Sequence, residues 1–290
     1  QGLTKTSNNI TLDIADPATG WAILGGGDGV TSSIIGGYAG VNATGTKNYG
    51  ISNFTQPSTV TSATNNVAIG FDSMGTSVTT ASNNVVIGGI AGANMTTATD
   101  SVLIGANAGS SMTTATDSVL IGKDAGASIT TAPNVVLVGQ DAGTGVTTGG
   151  ENTIIGSNAG ETITTGSRNT IIGSAAVASS GANSVFATII GREAEATSSS
   201  VAVGSGAAVA GATGVAVGNG ARTASNAPNG IALGLGANAT LQGTVGNVAI
   251  GSQVSPVSLT QPEEFSASFE YLNVTINGDQ YYIRLYKSGE

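Results

Sequence analysis

Segments of three mainly apolar residues, each followed by a glycine, recur along most of the chain. We call each of these three-residue segments a phrase. Twelve of these glycines run from Gly70 to Gly251, at intervals of 18, 17, 17, 17, 17, 17, 18, 13, 14, 16 and 17 residues. A repeat of this length is too short for two helices and accommodates two short strands and two turns. The pattern therefore predicts an all-β fold, a parallel β-solenoid in which each repeat forms one rung.

Each phrase is apolar on both faces of its strand. The first residue is Val, Thr or Ile and the last is Ile, Val or Leu in all twelve copies. These two share a strand face because side chains alternate with period two, so we expect them to stack inside the coil. The middle residue then faces outwards and is also apolar, which predicts burial against copies of the same chain. The expected interface residues are Leu103, Leu120, Leu137, Ile154, Ile171 and Ile189.

The rest of each rung carries turn and second-strand signals. Ala follows three residues after the glycine in ten of the twelve copies, where a small residue allows a tight turn. In the 17-residue rungs a second strand is predicted at motifs such as Met95-Thr-Thr and Met112-Thr-Thr. The middle residue changes to Ala after Gly191, which predicts a narrower shaft there.

Composition excludes several kinds of chemistry. The chain has no Cys and no His, which removes thiolate chemistry, His general bases and His metal ligands, and we expect no cofactor and no enzymatic activity. Eight scattered basic residues and a net charge of −9 argue against nucleic acid as a partner. No apolar run approaches the length of a membrane helix, so we expect no membrane insertion. Because the chain begins at Gln1, it is expected to be a processed product or a fragment.

Three segments are expected along the chain: an N-terminal cap or attachment segment (1–33), the β-solenoid rod (34–255), and a linker with a C-terminal β-hairpin (256–290). In the last segment, Asn277-Gly278 separates two strand-like stretches and predicts the hairpin turn. The aromatic candidates for receptor contact are Tyr271, Tyr281, Tyr282 and Tyr286. A small hairpin core is the favoured alternative role for these four tyrosines.

Residues 200–224, SVAVGSGAAVAGATGVAVGNGARTA, resemble the head repeat of trimeric autotransporter adhesins. The resemblance implies a left-handed, β-roll-like solenoid packed as a homotrimer, with the six residues above as the trimer interface. The longer NTIIGxxAG rungs and the C-terminal LNVTING…YYIRLY pattern look more like bacteriophage fibre and virion-surface proteins. A coiled-coil stalk and membrane barrel, which follow adhesin heads, have no counterpart in this sequence.

The expected function is a structural one: a rigid trimeric phage fibre on the virion surface, in the head or tail, for host attachment. Its partners are further copies of itself, other virion proteins, and a host cell-surface glycan or protein. The first alternative is a bacterial trimeric adhesin head on the bacterial cell surface. A glycan-degrading tail spike and an ice-binding solenoid are less favoured. Asp100 and Asp117 occupy equivalent turn positions, as do Asp124 and Asp141, so turn formation explains these carboxylates without catalysis.

Overall fold

A computed structural model describes residues 62–75, 78–225, 228–239 and 248–251, together with the backbone of seven strands outside these ranges. The described residues form an all-β parallel β-solenoid in which each phrase supplies one strand of a rung. The chain divides into two compact units, residues 1–169 with 181–183, and residues 170–180 with 184–290. The solenoid fold class predicted from the repeat is confirmed.

The first unit contains two antiparallel pairs followed by a run of parallel strands. Strand β1 (Leu3–Thr6) pairs with β2 (Asn9–Leu12), and β3 (Ala22–Gly25) with β4 (Ser33–Gly36). From β4 onwards, each strand pairs in parallel with the next one along the chain. These strands are β5 (Tyr49–Ile51), β6 (Val67–Ile69), β7 (Val85–Ile87), β8 (Val102–Ile104), β9 (Val119–Ile121), β10 (Val136–Val138) and β11 (Thr153–Ile155). A 3₁₀ turn at Gly181–Asn183 also belongs to this unit.

In the second unit, five of the six phrase strands are followed by a second strand, and the two kinds of strand lie in two parallel sheets. The phrase strands are β12 (Thr170–Ile172), β14 (Thr188–Ile190), β16 (Val201–Val203), β18 (Val215–Val217), β20 (Ile231–Leu233) and β22 (Val248–Ile250). The second sheet contains β13 (Val177–Ala178), β15 (Glu195–Ala196), β17 (Ala208–Val209), β19 (Arg222–Thr223) and β21 (Asn238–Ala239). Near the C-terminus β23 (Glu270–Ile276) pairs antiparallel with β24 (Asp279–Leu285), and the predicted turn at 277–278 lies outside the described residues.

The expected orientation of the phrase was wrong. Its middle residue points into the coil: Leu103, Leu120, Leu137, Ile154, Ile171 and Ile189 are all fully buried within the single chain. They therefore cannot form an interface with another copy. The first and last residues of the phrases face outwards and are half-buried or exposed. The alternation of side chains along a strand predicted which residues share a face, but not which face lies inside. The narrow interior accepts one large side chain from each strand, and this is the middle residue of the phrase.

The predicted second strand of the 17-residue rungs was also wrong. The Met-Thr-Thr segments form bends in which two consecutive amides share one acceptor. The N–H groups of Thr96 and Thr97 both donate to the carbonyl of Thr113, at 3.0 and 3.2 Å, and Thr96 Oγ1 donates to the same oxygen at 3.0 Å. A second strand occurs instead in the second unit, which contains the shorter rungs.

Inside the first unit, a polar row runs beside the buried middle residues. It consists of the residue just before each phrase, which is Asn or Ser except at Val135, and Asn84 shows how its polar groups are paired. Asn84 Nδ2 donates to Asn66 Oδ1 at 3.0 Å and to the Ala98 carbonyl at 2.8 Å, and Asn84 Oδ1 accepts from the Ser101 amide at 3.1 Å. Because these amides are fully paired, they link consecutive rungs without an unsatisfied buried group.

Candidate functional site

The outer face of the phrase strands carries two apolar rows, which together we call the outer strip. Each strand contributes its first and its last residue, and parallel in-register pairing stacks each on its equivalent, as in Val102↔Val119 and Ile104↔Ile121. In the first unit the strip consists of Val67, Ile69, Val85, Ile87, Val102, Ile104, Val119, Ile121, Val136, Val138, Thr153 and Ile155. In the second unit it consists of Thr170, Ile172, Thr188, Ile190, Val201, Val203, Val215, Val217, Ile231, Leu233, Val248 and Ile250.

The outer strip is large for a surface exposed to water. With six strands about 4.8 Å apart and three residues of about 3.3 Å each, its part in the first unit covers roughly 300 Å² in projection. In the second unit three of the six last residues of the phrases are more open, with Ile190 and Val217 each 37% exposed and Ile250 66% exposed. Parallel sheets are normally covered on both faces, so this face has the character of an interface.

Two rows of turn residues with positive φ border the outer strip. The upstream edge row lies two residues before each phrase and contains Asn65, Asn83, Asp100, Asp117, Asn134, Glu151 and Arg168 in the first unit. Asn and Asp tolerate this backbone conformation better than most residues, which explains their selection here. Asn65 Nδ2 donates to Asn83 Oδ1, and Asn83 Nδ2 to Asp100 Oδ1, both at 2.9 Å. Arg168 binds Glu151 through two hydrogen bonds, and this partner lowers the pKa of the Glu151 carboxyl.

The downstream edge row lies two residues after each glycine. In the first unit it contains Asp72, Ile90, Asn107, Asp124, Asp141 and Asn158, all with positive φ. Lys123 forms an ion pair with Asp124, and Asn107 Nδ2 donates to Asp124 Oδ1 at 2.8 Å. The hydrogen bond from Lys123, followed by that from Asn107, lowers the pKa of Asp124. Both borders of the strip therefore carry carboxylates.

Two bulky apolar residues interrupt these polar rows. Ile90 stands in the downstream edge row with φ 63°, and 42% of it is exposed. Phe186 stands in the corresponding upstream position of the second unit with φ 57°, and 55% of it is exposed. A β-branched or bulky side chain at positive φ is an outlier. Phe71, on the rung before Ile90, is 58% exposed, and its carbonyl accepts the Ile90 N–H at 2.7 Å.

The other predicted contact residues are not tested by the described part of the chain. Tyr271 lies on β23 and Tyr281 and Tyr282 lie on β24, where only the backbone is described. Tyr286 lies outside the described residues. Sequence reasoning missed the outward role of residues such as Ile104 and Ile121, and it missed Ile90. The signal for Ile90 was present, because alignment on the glycines places it in a row of Asp and Asn.

A row of exposed threonines bears on the ice-binding alternative. The second Thr of each Thr-Thr motif is exposed from Thr80 to Thr165, one on each rung of the first unit. The neighbouring row, two residues further on, is interrupted by Pro133 and Gly150, and the charged upstream edge row follows next to it. The exposed threonines thus lack a second, uninterrupted row of hydroxyl side chains beside them.

Among the described residues no group of three or more Asp and Glu could hold a metal ion, and no helix is long and apolar enough to cross a membrane. No family model matches the sequence, and no curated protein matches it. The candidate site is therefore defined by surface geometry: an apolar outer strip between two polar, acidic edge rows.

Proposed function

We propose that the chain is a structural attachment protein that self-associates through its outer strip into a homotrimeric fibre segment of a phage particle. The observation that carries this proposal is the pair of outward apolar rows, which recur on each described rung. Their hydrophobic area is left open by the single chain. Association that covers these rows gains free energy in proportion to the apolar surface removed from water.

A second copy of the chain is the partner that matches this surface best. The strip repeats at the spacing of the rungs, and a partner that covers it along its length needs the same spacing. Another copy of the chain has the same rung spacing and the same two rows of outward-facing residues. The adhesin-like repeats SVAVG at Ser200–Gly204 and GVAVG at Gly214–Gly218 support three copies as the number of chains, and a left-handed coil and a C-terminal hairpin are the finer features of the proposal.

Such a fibre works through rigidity and multivalency and needs no catalytic group. Three copies hold three equivalent contact sites at fixed separations, so the avidity for a surface exceeds the affinity of one site by orders of magnitude. The proposed partners are other virion proteins at one end and a glycan or protein of the host cell surface at the other. The four C-terminal tyrosines remain candidates for receptor contact.

The second candidate is the head of a bacterial trimeric adhesin. Such a head would associate through the same strip, and the SVAVG and GVAVG motifs favour this candidate specifically. The two functions differ in what the complete gene encodes, because an adhesin head is joined to a coiled-coil stalk and a membrane barrel. Sequencing the complete gene therefore separates them: a stalk and barrel support the adhesin, and neighbouring virion genes support the fibre.

Light scattering on the purified chain tests the self-association. A chain of 28.0 kDa gives about 84 kDa as a trimer. Ile121→Glu introduces a charge into the outer strip and is expected to give a monomer with unchanged circular dichroism. Ser128→Glu adds the same charge at an exposed position outside the strip, and should remain trimeric. A wild-type mass of 28 kDa at micromolar concentration would exclude the proposal.

Attachment is tested separately, by binding of the fluorescently labelled chain to panels of bacterial cells. We expect the trimer to bind a subset of strains, and the monomeric Ile121→Glu variant to lose at least ten-fold in apparent affinity on the same strains. Equal binding by trimer and monomer would contradict a multivalent mechanism.

A further inference from the structure

The outer strip by itself does not specify how two copies align. From β8 to β11 the phrases are nearly identical, with Val or Thr first and Ile or Val last. A neighbour displaced by one rung, about 4.8 Å, would bury almost the same side chains. Uniform strands of this kind have weakly specified registers. An assembly with one structure therefore needs a feature that differs from rung to rung.

Phe71 and Ile90, which we call the aperiodic patch, form such a feature in the first unit. Both are exposed, and the backbone hydrogen bond from Ile90 to Phe71 places them on consecutive rungs. The equivalent downstream positions of the other rungs in this unit contain only Asp or Asn. Within the described part of the first unit, the patch thus provides exposed large apolar residues at one height, whereas Phe186 and Leu235 are such residues in the second unit.

The backbone of Ile90 indicates that the patch serves something other than folding. A left-handed conformation costs an L-residue roughly 1–2 kcal/mol, and a β-branched side chain adopts it rarely. Burial of the Ile90 side chain offsets little of this cost, because 42% of the residue stays exposed. Strain that the fold itself does not need is characteristic of positions used in binding.

The patch is continuous with the outer strip. Phe71 is separated from the strip residue Ile69 only by Gly70, and Ile90 lies three residues after the strip residue Ile87. A copy that packs on the strip thus also reaches this border. If the neighbour slips by one rung, the contact that covered Ile90 would cover the polar Asn107 instead. Burying such a group without a matching partner is unfavourable.

We propose that the aperiodic patch fixes the register of self-association by contacting a neighbouring copy at one height. This inference rests on the proposed function, since it needs copies that associate through the strip. The strip provides most of the apolar area, and Phe71 with Ile90 selects one alignment among those that the strip allows.

Distance measurements between spin labels test this register. The chain has no Cys, so Ser128→Cys provides one labelling site, which is exposed and outside the strip. In a trimer with one register the three equivalent labels give one narrow distance distribution. In the Phe71→Ser/Ile90→Asn variant we expect the mass of a trimer and a distribution at least twice as broad, since each slip moves a label by about 4.8 Å along the stack. The thermal unfolding temperature should not fall, because Asn tolerates the conformation of Ile90.

The matched control is Gln140→Ser/Asn158→Asp, which changes the corresponding positions of two consecutive periodic rungs, where the Asn158 N–H donates to the Gln140 carbonyl at 2.9 Å. It should keep the narrow distribution of the wild type. A patch variant with a distribution as narrow as the wild type overturns the register role while leaving the proposed function intact. A monomeric patch variant also overturns it, because the patch would then drive association itself. A monomeric wild type overturns both proposals.

Discussion

At the scale of single residues, the glycine that ends each phrase has no space for a side chain. Gly122 has φ +135°, and a Cβ added to it would lie 2.3 Å from the carbonyl oxygen of Gly139 on the next rung. We expect Gly122→Ala to reduce the free energy of unfolding by about 3 kcal/mol or more, since neither rung can shift without breaking the stack. Urea unfolding followed by circular dichroism measures this loss.

Gly89→Ala is the matched control for that substitution. Gly89 has no positive φ, and the nearest atom to an added Cβ is the Phe71 carbonyl oxygen at 3.9 Å. Its free energy of unfolding should stay within about 1 kcal/mol of the wild type. Similar losses for the two alanine variants would show that close packing of rungs at the terminal glycine is not what selects it.

Thr223 is a residue whose replacement should stabilise the protein. Its hydroxyl is buried in the second unit and has no hydrogen-bond partner among the residues that the structure describes, whereas Val209 occupies the equivalent position of the preceding rung. Thr223→Val keeps the shape and removes the unsatisfied group, which is expected to add about 1–2 kcal/mol to the free energy of unfolding. Thr197→Val should have the opposite sign, because Thr197 Oγ1 donates to the Gly211 carbonyl at 2.8 Å. Destabilisation by Thr223→Val, measured by urea unfolding, would show that the hydroxyl is satisfied in solution.

At the scale of the elements, the buried polar row couples one rung to the next through asparagines such as Asn84. Asn84→Ala would remove a partner from the Ala98 carbonyl and from the Ser101 amide, both of which are buried. We expect a loss of about 2–4 kcal/mol in the free energy of unfolding, and faster hydrogen exchange of the Ser101 amide. Asn94→Ala removes an exposed hydrogen bond to the Ser110 carbonyl and should cost less than about 1 kcal/mol. Unchanged exchange at Ser101 would contradict a coupling role for the row.

The repeat alone predicts the rungs and which residues of a phrase lie on the same strand face. It does not predict which of the two faces lies inside the coil. Alternation separates Leu120 from Ile121 without saying which one the coil encloses. The run of 17-residue rungs contained the missing signal, because the middle residue is large from Val86 to Ile189 and Ala from Ala202 onwards, where the rungs first shorten, as expected for a residue that fills the interior. Ile90 was missed for a different reason: the sequence aligns it with Asp and Asn residues, but this row becomes a border of the exposed face only once the outward face of the phrase is known.

At the scale of the whole molecule, net charge opposes the proposed assembly. Each chain carries a formal charge of −9, so three of them bring −27 together. Carboxylates of both edge rows, such as Asp100, Asp117, Asp124 and Asp141, lie along the borders of the strip, where copies would approach one another. Salt shortens the screening length from about 30 Å at 0.01 M to about 8 Å at 0.15 M, and apolar burial is not weakened by it.

Association should therefore strengthen with ionic strength. Between 10 and 150 mM NaCl we expect the concentration at which half of the chains are assembled to fall at least ten-fold, as measured by sedimentation velocity. The Asp100→Asn/Asp117→Asn variant keeps side chains that suit the turn while removing two charges per chain, and should assemble more strongly at 10 mM with a weaker salt response. Association that weakens as salt is added would mean that pairs of opposite charge hold the copies together. The few basic residues, among them Lys123 and Arg168, would then be the interface, and the apolar strip would have to be covered by something other than this chain.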